Sequence, residues 1–372
     1  MNSKTIAIVL NTSWNIFNFR LNLIKAFQAA GWRVIAIAPQ DTYTYKLKDF
    51  GIEHYDIQIN SKGVNPFEDL KLIYDFLRLY QKARPDILLH YTIKPNIYGS
   101  IAAGILGIPV INNISGLGTV FIKESLITSV VKWLYRYSLH KSSKVFFQNS
   151  DDIHVFLANK LVAKEKCDLL PGSGIDFNKF IPIDHIKDNE QFVFLLIARM
   201  LWDKGIGEYV EAAKMIKLKY PYIEFQLLGS LDTANKTAIS KEQMKQWTDA
   251  GVVTYLGITD NVQQYIKQAD CIVLPSYREG TPRTLLESAS MAKPIITTNV
   301  PGCKEVVTDG INGYLCKVQN SYDLASKMEI MLKLSNQERA SMGLAGRKKI
   351  IKEFDEMIVI QKYLDTIQSI VT

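Results

Sequence analysis

Two carboxylates and two cations in the second half of the chain have the types and spacing to hold a charged, hydroxylated ligand. Glu279 and Glu287 bracket seven residues in EGTPRTLLE, and Arg199 and Lys204 bracket four in IARMLWDKG, residues 197–205. Thr281 followed by Pro282 is a helix-start signal. A helix is therefore expected directly after the loop 277–280, with Thr281 as its N-cap and Pro282 as its first residue. The unpaired N–H groups of that turn and the positive end of the helix dipole suit a diphosphate, with Arg283 and Thr284 beside it. Glu287, about one and a half turns inside the helix, is placed to accept hydrogen bonds from a ribose or sugar diol, and Glu279 to reach another part of the same ligand. Arg199 and Lys204 stand where a strand gives way to a helix and can close on the two phosphates of a nucleotide. Each charge-assisted bond is worth about 1.5–3 kcal/mol, and the pair would stabilise a departing diphosphate. One at a time, a cation at a sheet edge or a carboxylate on a helix face is ordinary. Together the four make an anion-and-sugar site.

The elements that must position them come in two series. TIAIVL (5–10), 19–30, RVIAIA (33–38), 66–83, DILLH (86–90), IPVINN (108–113), 123–140, KVFFQN (144–149) and a helix from Ser150-Asp151 alternate strand and helix. The strand runs are apolar on both faces, as in a parallel sheet covered by helices. After a polar linker at 182–190 the alternation resumes with FVFLLIA (192–198), a helix 205–219, IEFQLLG (223–229), a helix 240–250, VVTYLG (252–257), a helix 260–268, CIVLP (271–275), a helix 283–292, PIITT (294–298) and helices from about 321. The fold class is α/β, two doubly wound Rossmann-like domains at 1–182 and 191–354. A last helix at 355–372, with Ile358, Ile360, Tyr363, Leu364, Ile367 and Ile370 apolar, is expected to cross back to the first domain. Ligands in such sheets bind beyond the carboxyl ends of the strands, so a cleft between two facing sheets is the expected site.

Composition narrows the class. With 372 residues, 47% of them hydrophobic, the chain can bury two cores, which excludes fibrous, disordered and disulfide-scaffold proteins. Its longest apolar stretch, 97–111, is interrupted by Ser100, Pro109 and three glycines and falls short of the roughly 20 residues a membrane span needs. The first eleven residues read as a strand rather than a signal peptide, so the chain is expected inside the cell, with its four separated cysteines reduced. The net charge of +7 is uneven: 21 basic and 15 acidic residues lie in 1–186, against 23 and 22 in 187–372. A positive first half can meet nucleic acid, anionic lipid or a phosphorylated substrate.

The Glu279-x7-Glu287 spacing, the Arg199 and Lys204 pair after a strand and the two-domain alternation resemble the retaining glycosyltransferases of family 4, which have the GT-B fold. The resemblance covers essentially the whole chain. NTSWNIFNFR (11–20), PQDTYTYKL (39–47), SGLGTVF (115–121) and LPGSGID (170–176) are similar to segments of bacterial members that add an N-acetylhexosamine to an undecaprenyl-diphosphate-linked saccharide during glycan assembly. The resemblance implies that Arg199 and Lys204 bind the donor diphosphate and that Thr284 and Leu285 add backbone amides. Glu287 would take the ribose hydroxyls, Glu279 would contact the transferred sugar, and Gly257 and Ile258 would lie beside the base of a UDP-sugar. The family often has paired glycines after its first strand where this chain has Thr12-Ser13-Trp14-Asn15, and Asn15 is expected among the acceptor contacts. Many members place a His in the wall of the N-terminal domain. His90 is the candidate here, although close relatives place theirs a few positions later, where this chain has Ile93. Lys94, in KPN before a helix, is a candidate for acceptor phosphate.

Transfer with retention is implied, by a front-side route in which the leaving phosphate takes the acceptor's proton and the cations and helix amides stabilise the diphosphate. No DxD element stands at a strand end, so no metal or other cofactor is expected. The alternatives are a GT-B nucleotide-sugar epimerase, a glycogen-synthase-like polymerase and a non-catalytic nucleotide-sugar-binding subunit. Nucleic-acid binding needs a basic track with interleaved aromatics. The closest segment, 123–144, instead places Trp133, Arg136, Tyr137 and Lys141 on one helix face, as suits an anionic membrane surface. The expected location is cytoplasmic, peripheral on the inner face of the bacterial plasma membrane.

Overall fold

Runs of Val, Ile and Leu buried on both faces build two separate parallel sheets. The computed structural model describes residues 3–60, 65–117, 126–182, 191–231, 235 and 237–371. The chain divides into two compact units, 1–173 with 357–372 and 174–356.

The first unit holds β1 (Thr5–Val9), β2 (Arg33–Ala38), β3 (Glu53–Asp56), β4 (Ile87–Tyr91), β5 (Val110–Ile114), β6 (Lys144–Phe147) and β7 (Cys167–Leu169). Their order is β3-β2-β1-β4-β5-β6-β7, and every pairing is parallel. The strand sequence reverses direction between β1 and β4, the switch point at which doubly wound sheets open a crevice. β3 and β7 are short edge strands with polar residues, which is why an apolar-run criterion passes over them. The helix expected at 19–30 begins earlier, at Ser13. Thr12 caps it by accepting from the Asn15 amide at 3.2 Å, and Asp41 accepts from the Trp14 amide at 2.9 Å.

The second unit holds β8 (Val193–Ile197), β9 (Glu224–Leu228), β10 (Thr254–Tyr255), β11 (Cys271–Leu274), β12 (Ile295–Thr298) and β13 (Gly313–Cys316). All are parallel in the order β10-β9-β8-β11-β12-β13, with the switch point between β8 and β11.

The expected domain limit at 182 falls at 173 instead. Residues 174–176 belong with the second unit because the Ile175 amide donates to Phe354 O at 2.9 Å and Ile175 O accepts from Glu356 at 3.2 Å. The linker 183–190 lies outside the described residues. The last helix, Glu356–Val371, completes the core of the first unit. Its buried face is Val359, Ile360, Tyr363 and Ile367, whereas Ile358 is 40% exposed. Each such side chain contributes about 1.5–3 kcal/mol on burial. Lys362 pins the helix outside that core through Asp168 at 2.7 Å.

Candidate active site

The carboxyl ends of β8 and β11 meet at the switch point of the second unit. After β8 the chain runs through Arg199 to a short 3-10 turn, Trp202–Lys204, and then enters the helix Ile206–Lys219. Gly205 joins turn to helix at φ +73, and a Cβ there would stand 2.1 Å from Pro275 O. Only glycine lets the segment after β11 come this close. That second segment is tied to the first: the Tyr277 amide and Ser276 Oγ donate to Asp203 O at 2.9 and 3.2 Å, and the Tyr277 hydroxyl donates to Glu208 at 2.7 Å. Burial and the neighbouring Glu208 carboxylate push the Tyr277 phenol well above its ordinary pKa, so it stays a donor at any working pH.

The result is an ion pair between residues 75 positions apart: Lys204 Nζ lies 2.5 Å from Glu279 Oε1, with the two side chains 17% and 14% exposed. The Glu279 backbone is held in turn by its amide donating to Pro301 O at 3.1 Å. Arg199 is exposed, and among the described residues its guanidinium has no partner. The sheet thus delivers a held cation, a held carboxylate and an uncommitted guanidinium to the same end of two adjacent strands.

The helix after this loop is Arg283–Ser290, and its N-cap is Pro282, with no side-chain cap. The expected cap, Thr281, lies one residue too early, because the helical turn closes on the carbonyl of Pro282. Leu285 donates its amide to Pro282 O at 3.0 Å, so that amide is taken up within the turn. Thr284 keeps an amide with no intrahelical acceptor. Glu287 is not on a solvated face. It is 7% exposed and accepts from Arg283 Nε at 2.9 Å. Burial raises its carboxyl pKa, with Arg283 opposing the shift. Arg283 is accordingly the partner of Glu287, and its Nη1 also donates to Gly174 O at 3.5 Å.

Gly257 and Ile258 follow β10 at the same end of the sheet. Gly257 O accepts from Gly229 at 2.8 Å, and Ile258 is 75% exposed.

The residues expected in the first unit divide differently. His90 is wholly buried at the end of β4, with Nε2 at 3.0 Å from the Tyr80 hydroxyl and Nδ1 at 3.0 Å from Ser100 Oγ. Both ring nitrogens are occupied inside the core, which corrects the expectation of a ligand-facing histidine. Desolvation lowers its pKa to about 3. Folded His90 stays neutral down to that value, whereas the unfolded side chain protonates near 6.5. The unfolded state therefore binds more protons between the two, and stability falls as pH drops below 6.5. The expected slope is about 1.4 kcal/mol per pH unit, and urea melts at pH 7 and 5 should show His90→Gln losing less stability than wild type. Equal losses would refute the assignment.

Lys94 is 9% exposed and pairs with Asp69 at 2.6 Å, and Tyr98 donates to the same carboxylate at 2.6 Å. The lysine expected to meet acceptor phosphate is thus held by a carboxylate, as Lys204 is. Asn15 sits half-buried in the first turn of its helix.

Sequence reasoning passed over Asp203, Glu208, Tyr277 and Gly205, which tie the segment after β11 to the segment after β8, and Gly302, against which the Glu279 and Gly280 carbonyls pack. Gly205 carries a signal, since it stands at the mouth of a strand-to-helix passage. The contacts of Glu208 and Tyr277 have none, being fixed by the order of strands.

Two Rossmann-like parallel-sheet units, the second with cations and a carboxylate at its switch point, define the two-domain class of GT-B glycosyltransferases. Residues 5–149 match the family model for glycosyl transferase 4-like domains and residues 178–349 that for glycosyl transferases group 1. The chain belongs to this glycosyltransferase family and is a glycosyltransferase by domain content.

The chain is 29% identical, over 96% of its length and 97% of the relative's, to N,N'-diacetylbacillosaminyl-diphospho-undecaprenol alpha-1,3-N-acetylgalactosaminyltransferase of Campylobacter jejuni. It is 27% identical to the capsular polysaccharide biosynthesis glycosyltransferase CapM of Staphylococcus aureus, with 84% of each chain covered. It is 23% identical to UDP-Gal:alpha-D-GlcNAc-diphosphoundecaprenol alpha-1,3-galactosyltransferase of Escherichia coli, covering 85% of this chain and 84% of the relative. A glycosyltransferase from Rickettsia africae shares the fold with a TM-score of 0.80 at 21% identity and full coverage of both chains.

Proposed function

We propose that the protein transfers an N-acetylhexosamine, with retention, from a UDP-sugar to a saccharide carried on undecaprenyl diphosphate, in the assembly of a cell-surface glycan. The Lys204–Glu279 pair at the β8/β11 switch point carries this reading. The relatives named above, two of them acting on diphosphoundecaprenol saccharides, support the acceptor class and favour transfer over epimerisation.

In the proposed reaction Lys204, Arg199 and the Thr284 amide hold the donor diphosphate, Glu287 the ribose, and Glu279 the sugar. The bond from the anomeric carbon to the phosphate oxygen breaks as the acceptor oxygen approaches from the same side. The acceptor's proton passes to the departing phosphate oxygen, and the charge gathering on the diphosphate is what the cations stabilise. His90, enclosed by Tyr80 and Ser100, takes no part. The scheme needs no metal.

The test is a donor screen by mass spectrometry with a short lipid-diphosphate-sugar acceptor and a panel of UDP- and GDP-sugars, with and without EDTA. Transfer from a UDP-N-acetylhexosamine at a rate unchanged by EDTA is expected. Transfer from GDP-sugars alone, or a rate abolished by EDTA, would refute it.

The reading includes docking on the anionic inner face of the plasma membrane. Among the described residues no helix is long and apolar enough to cross a membrane. The part of segment 123–144 at 123–125 lies outside the described residues. On the helix Leu126–His140, Trp133 and Tyr137 are 62% and 59% exposed and stack at 6.0 Å. With Ile101, Ile105, His140 and Lys141 they line a groove of about 410 Å³. Arg136 keeps its charge but is held in place, its guanidinium donating to the carbonyls of Lys160 and Asn159 at 3.0 and 2.8 Å. Co-sedimentation with anionic vesicles is expected to fall at least about fivefold in a Trp133→Ala, Tyr137→Ala double variant, each aromatic contributing on the order of 1 kcal/mol. Equal binding of wild type to neutral and anionic vesicles would remove the electrostatic part.

A further inference from the structure

The Lys204–Glu279 ion pair sets a negative charge against the cation proposed to hold the donor's phosphates. Lys204 Nζ and Glu279 Oε1 lie 2.5 Å apart, with the side chains 17% and 14% exposed. An ammonium carries three N–H bonds in tetrahedral array, so a phosphate oxygen accepting a second of them stands about 4–5 Å from the carboxylate oxygen. At that separation, well inside a Debye length and in a half-enclosed site, two negative charges are poorly screened. The backbone that carries the carboxylate is fixed. The Glu279 amide donates to Pro301 O at 3.1 Å, and the Glu279 and Gly280 carbonyls pack against Gly302.

This arrangement bears differently on donor and product. The diphosphate of a UDP-sugar has no terminal phosphate and carries two negative charges. In the proposed reaction the bond from the anomeric carbon to the β-phosphate oxygen breaks, and the acceptor oxygen takes its place on that carbon. The acceptor's proton passes to the freed phosphate oxygen. A terminal phosphate gives up such a proton to water at about pH 6, so near neutral pH the UDP produced carries a third charge. That charge gathers on the phosphate that bore the sugar, the one nearest a residue holding the sugar. Cations alone would therefore bind the product more tightly than the donor. A carboxylate fixed beside the cation opposes this, because it repels a trianion more than a dianion.

We infer that Glu279, paired with Lys204, discriminates donor from product by charge, favouring the dianionic diphosphate of a UDP-sugar over the trianionic diphosphate of spent UDP. The inference rests on the donor site proposed above and adds to it a role that contact with the sugar does not require.

The test is calorimetric titration of the full chain with UDP and with the β-methyl ester of UDP, which has the donor's two charges and no sugar. Glu279→Gln is expected to raise the affinity for UDP relative to that for the ester at least about fivefold. Any loosening of Lys204 acts on both ligands and cancels in that ratio. Glu279→Asp keeps the charge and should leave the ratio within about twofold of wild type. An unchanged ratio in Glu279→Gln, both ligands shifting by one factor, is the result expected of a carboxylate that only holds Lys204, and it overturns the inference. So does a ratio that rises as much in Glu279→Asp. Lys204→Ala checks the donor site itself and should weaken both ligands at least about tenfold. Unweakened binding in that variant, or no binding by wild type, refutes the donor site and the inference with it. An unchanged ratio in Glu279→Gln alongside weakened binding in Lys204→Ala refutes the inference alone.

Discussion

Lys204→Ala is expected to lower kcat by at least about 10²–10³ while leaving the circular dichroism spectrum unchanged, because it removes the one held cation at the point where the leaving diphosphate gathers charge. The Nζ–Oε1 distance of 2.5 Å and side-chain exposures of 17% and 14% mean that Glu279 loses its counter-ion at the same time. Removing the cation withdraws the charge that holds the Glu279 carboxylate in place, so part of the loss comes through Glu279. Glu279→Gln keeps the shape and is expected to cost about as much in kcat, since an amide accepts a sugar hydroxyl less strongly and no longer orients Lys204. The two changes act on one unit, and the double variant should lose much less than the product of the single losses. Turnover within tenfold of wild type in either single variant would overturn the proposed site.

Gly302→Ala should disable the enzyme without removing a polar atom. Gly302 has φ +86, and a Cβ there would meet Gly280 O at 2.2 Å and Glu279 O at 2.6 Å. Two penalties result: the left-handed backbone costs alanine about 1–2 kcal/mol, and the peptide carrying Glu279 must shift by roughly 1 Å. A displacement of that size at a reacting centre costs on the order of 10²-fold in rate. Gly310→Ala separates the two effects. Gly310 has φ +74 but nothing within 4 Å of the added carbon, so it pays the backbone strain alone. Gly310→Ala is expected to melt slightly earlier with full kcat, and Gly302→Ala to melt earlier and lose about 10²-fold. Equal activity in the two variants would show that Glu279 does not depend on this packing.

The parts of the site legible in the sequence are those built from neighbours in the chain. Arg199 and Lys204 come after one apolar run and Glu279 after another, and in a parallel sheet every strand hands its next residues to the same end. The helix start at Pro282 was legible to within one residue. The fates of His90, Lys94 and Arg283 were not, because each depends on a partner at another level of the fold. A covered sheet is apolar on both faces, so a strand-end histidine has no periodicity that tells core from ligand. His90 found Tyr80 and Ser100, and Lys94 found Asp69.

By itself the sequence determined two doubly wound α/β units, the strands that carry the candidate site residues and the family to which they belong, since hydrophobic period and local spacing are properties of short segments. Only the tertiary structure decided that Lys204 faces Glu279 across 75 residues, that Glu287 is buried against Arg283, that His90 is core, and that the last helix completes the first unit. Those are outcomes of strand order and of competition for partners in a low-dielectric interior. There, a charge or ring nitrogen is worth little until the group opposite it is known.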